Sequence, residues 1–169
     1  MTEARDRILA TILHDDDGTG VIRVEDVYDT EIDDLWSALT DPTRLARWLA
    51  TVEGELQVGG HFTARFTSTW EGTGRVDTCE KPTRLTLTMN PGQPDEGVLD
   101  AVLSPEGDKT RLVIEDRGLP DSDLIGHGAG WQAHVEDLSA HLAGDVPGDW
   151  HARWTELVPI YVNHFDRRM

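Results

Sequence analysis

The sequence has 169 residues, of which 38% are apolar, so it is long enough to bury a hydrophobic core and has the size of one domain. Its 32 acidic and 15 basic side chains give a formal net charge of −17, which argues against nucleic acids and anionic membranes as partners. Cys79 is the single cysteine and no apolar run reaches the roughly 18 residues of a membrane span, which excludes an intrachain disulfide, a cysteine-based zinc site and a transmembrane helix.

Two apolar stretches near the N-terminus predict a β-hairpin. They occupy residues 8–13 and 21–28 and are separated by HDDDGTG, whose aspartates and glycines favour a turn. A helix over residues 3–12 is the alternative interpretation of the first stretch.

Two short helices are predicted next. Thr30 can cap the first one, whose apolar residues recur with helical spacing at Ile32, Leu35, Trp36 and Leu39. Asp41 and Pro42 are typical of the N-cap and the first position of a second helix, which ends near Ala50. Its apolar face consists of Leu45, Trp48 and Leu49.

Over residues 51–118 apolar and polar residues alternate with a period of two. Segments of strand length are separated by turn-forming sequences such as GG, WEG and EKP, so the pattern predicts a curved antiparallel meander. Each strand has one apolar face, as in Phe62, Ala64, Phe66, Ser68 and Trp70, and in Leu85, Leu87 and Met89.

A long helix from about Asp123 to Ala143 is predicted to cross the concave face of this sheet. It ends at Gly144, and its apolar stripe consists of Leu124, Gly128, Trp131, Val135, Leu138 and Leu142. Asp149 can cap a last helix, which Pro159 is expected to kink or divide near its middle.

Three motifs in this order resemble the START-like, or SRPBCC, proteins. DLWSALTDPTRLARWL is similar to the opening signature of the branch named after the C-terminal domain of the heat-shock-protein-90 ATPase activator, WEGTGRVDTCEKPTRLTLT to its central strands, and GHGAGWQAHVEDLSAHLAG to its closing helix. The resemblance covers about residues 19–144 and implies an α+β helix-grip fold, a curved antiparallel sheet wrapped around a long C-terminal helix. We therefore predict one domain over residues 1–169, with a hairpin or helix at 1–18 and a helical extension at 149–169.

The resemblance also implies a cavity between the sheet and the long helix, which the superfamily uses for apolar small molecules. The predicted helix stripe and strand faces oppose each other there through Trp131, Val135, Phe62, Phe66 and Trp70. We expect these five residues to line the cavity. Trp36 and Trp48 stand at helix core positions, where core packing is the expected role.

His134 is a further candidate for the cavity. It belongs with His127 and His141 to a column that recurs every seven residues on one face of the long helix. Neighbouring members are about 10 Å apart, too far to share a metal ion. The column is either a polar border beside the apolar stripe or brings His134 into the cavity.

Asp26 is a second polar candidate because it shares one side of its strand with Val24 and Tyr28. If that side faces inward, the carboxylate needs a donor such as Arg65 or Arg75, or has a raised pKa. A register slip of one residue would place it in water instead.

Three functions follow from these observations. The first is binding of a lipid-like, aromatic or polyketide-like small molecule. The second, implied by the resemblance, is an enzyme of the cyclase or hydrolase kind seen elsewhere in the superfamily, in which Asp26 and His134 would be the general acid and base. The third, implied only by the branch name, is a module that stimulates a chaperone ATPase.

We expect binding rather than either alternative, in a cytoplasmic bacterial protein with no cofactor, no metal and no insertion into a membrane. The N-terminus contains acidic residues and lacks a signal-peptide pattern. A protein partner or a homodimer stays open.

Overall fold

An antiparallel sheet of eight strands forms the centre of the structure, a computed structural model that describes residues 7–166. The strands in chain order are β1 Ala10–His14, β2 Gly20–Tyr28, β3 Ala50–Gly54, β4 His61–Phe66, β5 Glu71–Glu80, β6 Arg84–Met89, β7 Gly97–Glu106 and β8 Lys109–Leu119. Across the sheet they lie in the order β1-β2-β8-β7-β6-β5-β4-β3. The predicted meander is thus confirmed as β3 to β8, and β2 joins the N-terminal hairpin to it by pairing with β8.

The hairpin interpretation of the N-terminus is confirmed, since β1 and β2 pair directly. The alternative helix over residues 3–12 is wrong for its described part, because residues 7–9 are not helical and β1 begins at Ala10. Its first residues lie outside the described part of the chain.

The described residues form four α-helices, namely α1 Ile32–Thr40, α2 Pro42–Trp48, α3 Leu124–Leu142 and α4 Trp150–Asp166. The first two connect β2 to β3, and the last two follow β8. This order confirms the predicted α+β helix-grip fold with a long C-terminal helix. In the part of the chain that the structure describes, no helix has the length and apolarity needed to cross a membrane.

The two short helices begin differently. Asp41 caps α2 as predicted, because its side chain accepts a hydrogen bond from the Thr43 amide at 2.9 Å. The prediction that Thr30 caps α1 is wrong. The cap position falls on Glu31, and the Thr30 hydroxyl donates to the Asp34 carboxylate at 2.6 Å instead of accepting from a backbone amide.

Pro159 was expected to kink or divide the last helix. The division is wrong, because α4 is continuous through Pro159, and the kink stays a prediction. Asp149 accepts a hydrogen bond from the Ala152 amide at 3.1 Å and caps α4 as expected. Leu157 and Tyr161 on either side of Pro159 are fully buried, whereas Pro159 itself is exposed. Packing on both sides of the proline therefore offsets the backbone hydrogen bond that its ring removes.

The turn between β4 and β5 lies earlier than the sequence predicts. β4 ends at Phe66, whose amide donates to the carbonyl of Trp70 at 2.8 Å, so Trp70 belongs to the turn rather than to an inward strand face. The other two residues of the predicted WEG turn, Glu71 and Gly72, are instead the start of β5. Gly72 and Gly74 lie in that strand. Glycine is required at both positions because the rings of Trp70 and Phe62 fill the space that a larger residue's side chain would occupy.

The hydrophobic core is divided into two clusters of buried residues. The larger packs α1, α2 and α3 against β2, β7 and β8, and includes Trp48, Leu112 and Leu138. The smaller lies near the other end of the sheet and consists of Phe62, Ala64, Val76 and Met89. Partly buried side chains pack against both clusters and join them, namely Phe66, Leu85 and Leu99.

We expect Trp48→Ala to lower the free energy of unfolding by roughly 3–5 kcal/mol, measured by urea denaturation. Trp48 is fully buried, and its indole N–H donates to the Ala38 carbonyl at 2.9 Å, joining α2 to α1. Val146→Ala is the control, because Val146 is 90% exposed and its loss should change stability by less than about 0.5 kcal/mol. Equal stabilities of the two variants would contradict the central position of Trp48.

Candidate ligand-binding cavity

A cavity of about 80 Å³ lies between the two core clusters. The segment of α1 and α2 contributes Leu39, Leu45, Trp48 and Leu49. The inner face of the sheet contributes Val52, Phe62, Ala64, Phe66, Leu85, Leu87, Met89, Leu99, Ala101 and Ile114, and α3 contributes Trp131. Asp100 also borders the space, but Thr86 and Arg84 hydrogen-bond to its carboxylate at 2.7 and 3.1 Å. The walls are therefore almost wholly apolar.

Three of the seven residues proposed from the sequence line this cavity, namely Phe62, Phe66 and Trp131. Phe66 and Trp131 approach from opposite sides, edge to face, with ring centroids 6.5 Å apart. The predicted opposition of the long helix and the strand face is thus present in the structure. The role of these residues in ligand binding stays a prediction.

Trp70 and Val135 are not among the described residues that line the cavity. Trp70 packs edge to face on Phe66 with centroids 5.2 Å apart, from its position in the β4–β5 turn. Val135 is 2% exposed and belongs to the larger core cluster. Trp70 therefore supports the cavity wall, and Val135 is part of the core.

His134 packs behind the aromatic side chains that line the cavity. Its imidazole is 4% exposed and is surrounded by the rings of Phe66, Trp131 and Trp150 at centroid distances of 5.2 to 5.8 Å. Its Nδ1 is 3.5 Å from the Thr67 hydroxyl oxygen. Burial lowers the pKa of His134 from 6.5 to about 3, so the ring is neutral at pH 7. His134 is thus buried, but it is not among the described residues that line the cavity, and its role in ligand binding stays a prediction.

Asp26 lies on the inner face of β2, on the side predicted from the alternation, but at a half-buried place. Its carboxylate accepts a hydrogen bond from the Val27 amide at 2.8 Å and lies 3.6 Å from the Arg7 guanidinium. The partners expected from the sequence are engaged elsewhere, since Arg65 pairs with Glu71 and Arg75 with Asp77. Asp26 is not among the residues that line the cavity.

A polar cluster that the sequence reasoning missed adjoins the cavity at Asp116. Its Oδ2 accepts a hydrogen bond from the Trp131 indole at 2.9 Å and lies 3.3 Å from Nδ1 of His127. The hydrogen bond to Asp116 raises the pKa of His127 above 6.5. The sequence pattern that could have revealed Asp116 is the one used for Asp26. Asp116 interrupts the row of inward-facing apolar residues of β8 after Leu112 and Ile114.

The tryptophans of α4 were also not assigned from the sequence. The indoles of Trp150 and Trp154 donate to the carbonyls of Gly130 and Gly126 at 3.2 and 3.0 Å. Both pairs are four residues apart, so they repeat along the two helices. Trp150 also covers His134, which closes the side of the site that faces away from the sheet.

Comparisons with known proteins identify the family and the fold. Residues 29–143 match the sequence model of a family described as Activator of Hsp90 ATPase homolog 1-like protein. No curated protein matches the chain.

Solved structures also resemble the chain. The crystal structure of CalU16 from Micromonospora echinospora is 28% identical, with a TM-score of 0.74 over 91% of this chain and 94% of that one. DynU16, a protein of the dynemicin biosynthetic locus, is 26% identical with a TM-score of 0.69, over 76% of this chain and 50% of its own. The BPP1335 protein of Bordetella parapertussis is 24% identical, with a TM-score of 0.71 over 92% of both chains, and shows the fold alone.

We expect NMR titration to show a raised pKa for His127 and a lowered pKa for His134. The pKa of His127 should lie above 6.5 and fall in Asp116→Asn, because the carboxylate stabilises the imidazolium. His127 therefore contributes stability below pH 6.5 that is lost as the pH rises through its raised pKa. His134 should stay neutral until about pH 3, and protonation in the unfolded chain should reduce stability below pH 6.5. Titration of His134 near pH 6.5 would contradict its burial.

Proposed function

The chain belongs to the family of Activator of Hsp90 ATPase homolog 1-like proteins, and we propose that its cavity binds an apolar or aromatic small molecule. The observation that carries this proposal is the gap in the core, which is lined almost wholly by apolar side chains. Such walls favour ligands by removing apolar surface from water. The similarity to DynU16, which comes from a biosynthetic locus, supports a role connected with small-molecule metabolism.

The volume of the cavity limits what it holds in this conformation. An engineered apolar cavity of roughly 150 Å³ binds benzene, and the space here is about 80 Å³. A single ring therefore requires a small widening, and a lipid-like or polyketide-like molecule a larger one. Phe66 is the wall residue best placed to move, because it is only partly buried and lies next to the β4–β5 turn.

The enzymatic alternative receives no support from the pair suspected in the sequence. Asp26 contacts Arg7 and Val27, whereas His134 contacts Phe66 and the rings around it. The two side chains share no partner among the described residues. A general acid and base must reach a common point, which this arrangement does not provide.

Filling the cavity should abolish binding without harming the fold. Ala101 lies on the inner face of β7 and lines the cavity, so Ala101→Leu adds three carbon atoms to the space that a ligand would occupy. We expect calorimetric titration with toluene to show at least tenfold weaker binding than in the wild type, with an equal or higher free energy of unfolding.

Ala152→Leu is the matched control, because Ala152 is exposed on α4 and its enlargement should leave toluene binding unchanged. Wild-type affinity in Ala101→Leu would place the probe elsewhere and contradict the proposal. If the wild type binds neither toluene nor a larger apolar fluorescent probe, the ATPase-stimulating module becomes the preferred hypothesis. Its test is the rate of ATP hydrolysis by a chaperone ATPase with and without this protein.

A further inference from the structure

Most of the cavity wall is held in place by hydrogen bonds. On the sheet side, β3 to β6 pair with one another as antiparallel neighbours. On the helix side, the Trp48 indole joins α2 to α1, and the indoles of Trp150 and Trp154 join α4 to α3. These parts of the wall make room for a ligand only by breaking such contacts, which costs free energy.

The β4–β5 turn, residues 67–70, is attached more weakly. Outside its own hairpin, the described part of the chain makes two hydrogen bonds to it, both through Thr67. The Thr67 amide donates to the Leu49 carbonyl at 2.8 Å, and the Thr67 hydroxyl oxygen is 3.5 Å from Nδ1 of His134. The second contact is long and therefore weak.

The turn nevertheless controls part of the cavity wall. The Trp70 ring packs edge to face on Phe66 with centroids 5.2 Å apart, and Phe66 lines the cavity opposite Trp131. Phe66 also makes both hydrogen bonds that close the turn. Its amide donates to the Trp70 carbonyl at 2.8 Å, and its carbonyl accepts from the Thr69 amide at 2.9 Å. A shift of the turn therefore moves Phe66 and changes the space that a ligand can occupy.

Thr69 gives this turn a strained backbone. Its φ of 74° lies in the left-handed region, where a β-branched side chain clashes with the neighbouring backbone. Every other described residue with a positive φ is glycine or asparagine, as at Gly107 and Asn90, which are the residue types that this conformation favours. Within residues 7–166 the Thr69 hydroxyl makes no hydrogen bond that would offset the strain. Such strain persists only where the surrounding structure holds it, and it is concentrated at ligand clamps and switch segments.

We infer that the β4–β5 turn is the movable wall of the cavity, and that release of the strain at Thr69 helps it to open for ligands larger than the present space. The inference rests on the proposed function and specifies which part of the site adapts to the size of the ligand. A space of about 80 Å³ is too small for a single ring, so larger ring systems require a larger displacement of the turn. Because the closed turn is strained, opening costs less than it would for an unstrained turn.

Thr69→Asn tests the strain. Asparagine tolerates the left-handed region without adding the backbone flexibility of glycine, so the substitution stabilises the closed turn. We expect urea denaturation to show a higher midpoint than in the wild type. Calorimetric titration with naphthalene should show about fivefold or more weaker binding, because the strain is no longer released when the turn opens. Toluene requires less displacement and should lose less affinity than naphthalene.

Ser68→Asn is the matched control. It places the same side chain at the preceding residue of the same turn, where φ is not positive. It should leave the urea midpoint and the affinities for toluene and naphthalene unchanged. In NMR spectra of the wild type, naphthalene should shift the amide signals of residues 67–70 and leave those of the β7–β8 turn around Gly107 in place.

The outcomes separate this inference from the function on which it rests. If the wild type binds neither toluene nor naphthalene, the proposed binding function fails together with the inference. If the wild type binds toluene but not naphthalene, the wall does not open, and the inference is overturned while the apolar site remains. The same holds if Thr69→Asn leaves the urea midpoint unchanged, or if it weakens naphthalene binding no more than toluene binding.

Discussion

The structure depends on the burial of α3 on two opposite faces. One face packs against the sheet and the core clusters, and the other packs against α4, so the helix is buried along most of its length from Gly128 to Leu138. A helix in this position has to present small residues to at least one neighbour. Gly126 and Gly130 meet this need, because they let the rings of Trp154 and Trp150 reach the carbonyls of α3.

Burial on both faces also determines how the polar residues of α3 are accommodated. Gln132 is 1% exposed, and its side chain bonds to the Tyr161 hydroxyl at 2.5 Å, to the Leu9 amide at 3.1 Å and to the Arg7 carbonyl at 2.7 Å. This network connects α3 to α4 and to the residues before β1. His134 has a weaker hydroxyl contact and stays neutral instead. Gln132 thus avoids the cost of desolvation by making several hydrogen bonds, and His134 avoids it by staying uncharged.

The sequence was sufficient to predict the elements but not all of their junctions. Alternation with a period of two and helical spacing decide secondary structure locally, which explains why the sheet, α1, α2 and α3 were predicted in the right order. The glycine of WEG was misread because glycine also occurs in strands that lie under a large ring. The ring over Gly72 belongs to Trp70, and the ring over Gly74 in the same strand belongs to Phe62, twelve residues earlier. Only the pairing of β4 with β5 reveals that requirement.

The candidate site shows the same limit more clearly. The helix stripe and the strand face supplied Trp131, Phe62 and Phe66, because periodicity alone decides which residues face inward. The cluster of Asp116, His127 and Trp131 depends on the position along β8 at which α3 crosses the sheet. That crossing follows from the packing of whole elements, so no local pattern contains it.

The cavity itself results from constraints on the side chains that surround it. At about 24 cal/mol per Å³, an empty space of about 80 Å³ costs about 2 kcal/mol of stability. The large rings do not close it, because the indole N–H groups of Trp48 and Trp131 are held by hydrogen bonds to the Ala38 carbonyl and the Asp116 carboxylate. Inward rotation of either ring would leave a buried indole N–H without its acceptor, a loss of comparable size. A ligand that fills the space avoids both costs and binds only the folded state, so occupancy and stability are thermodynamically linked.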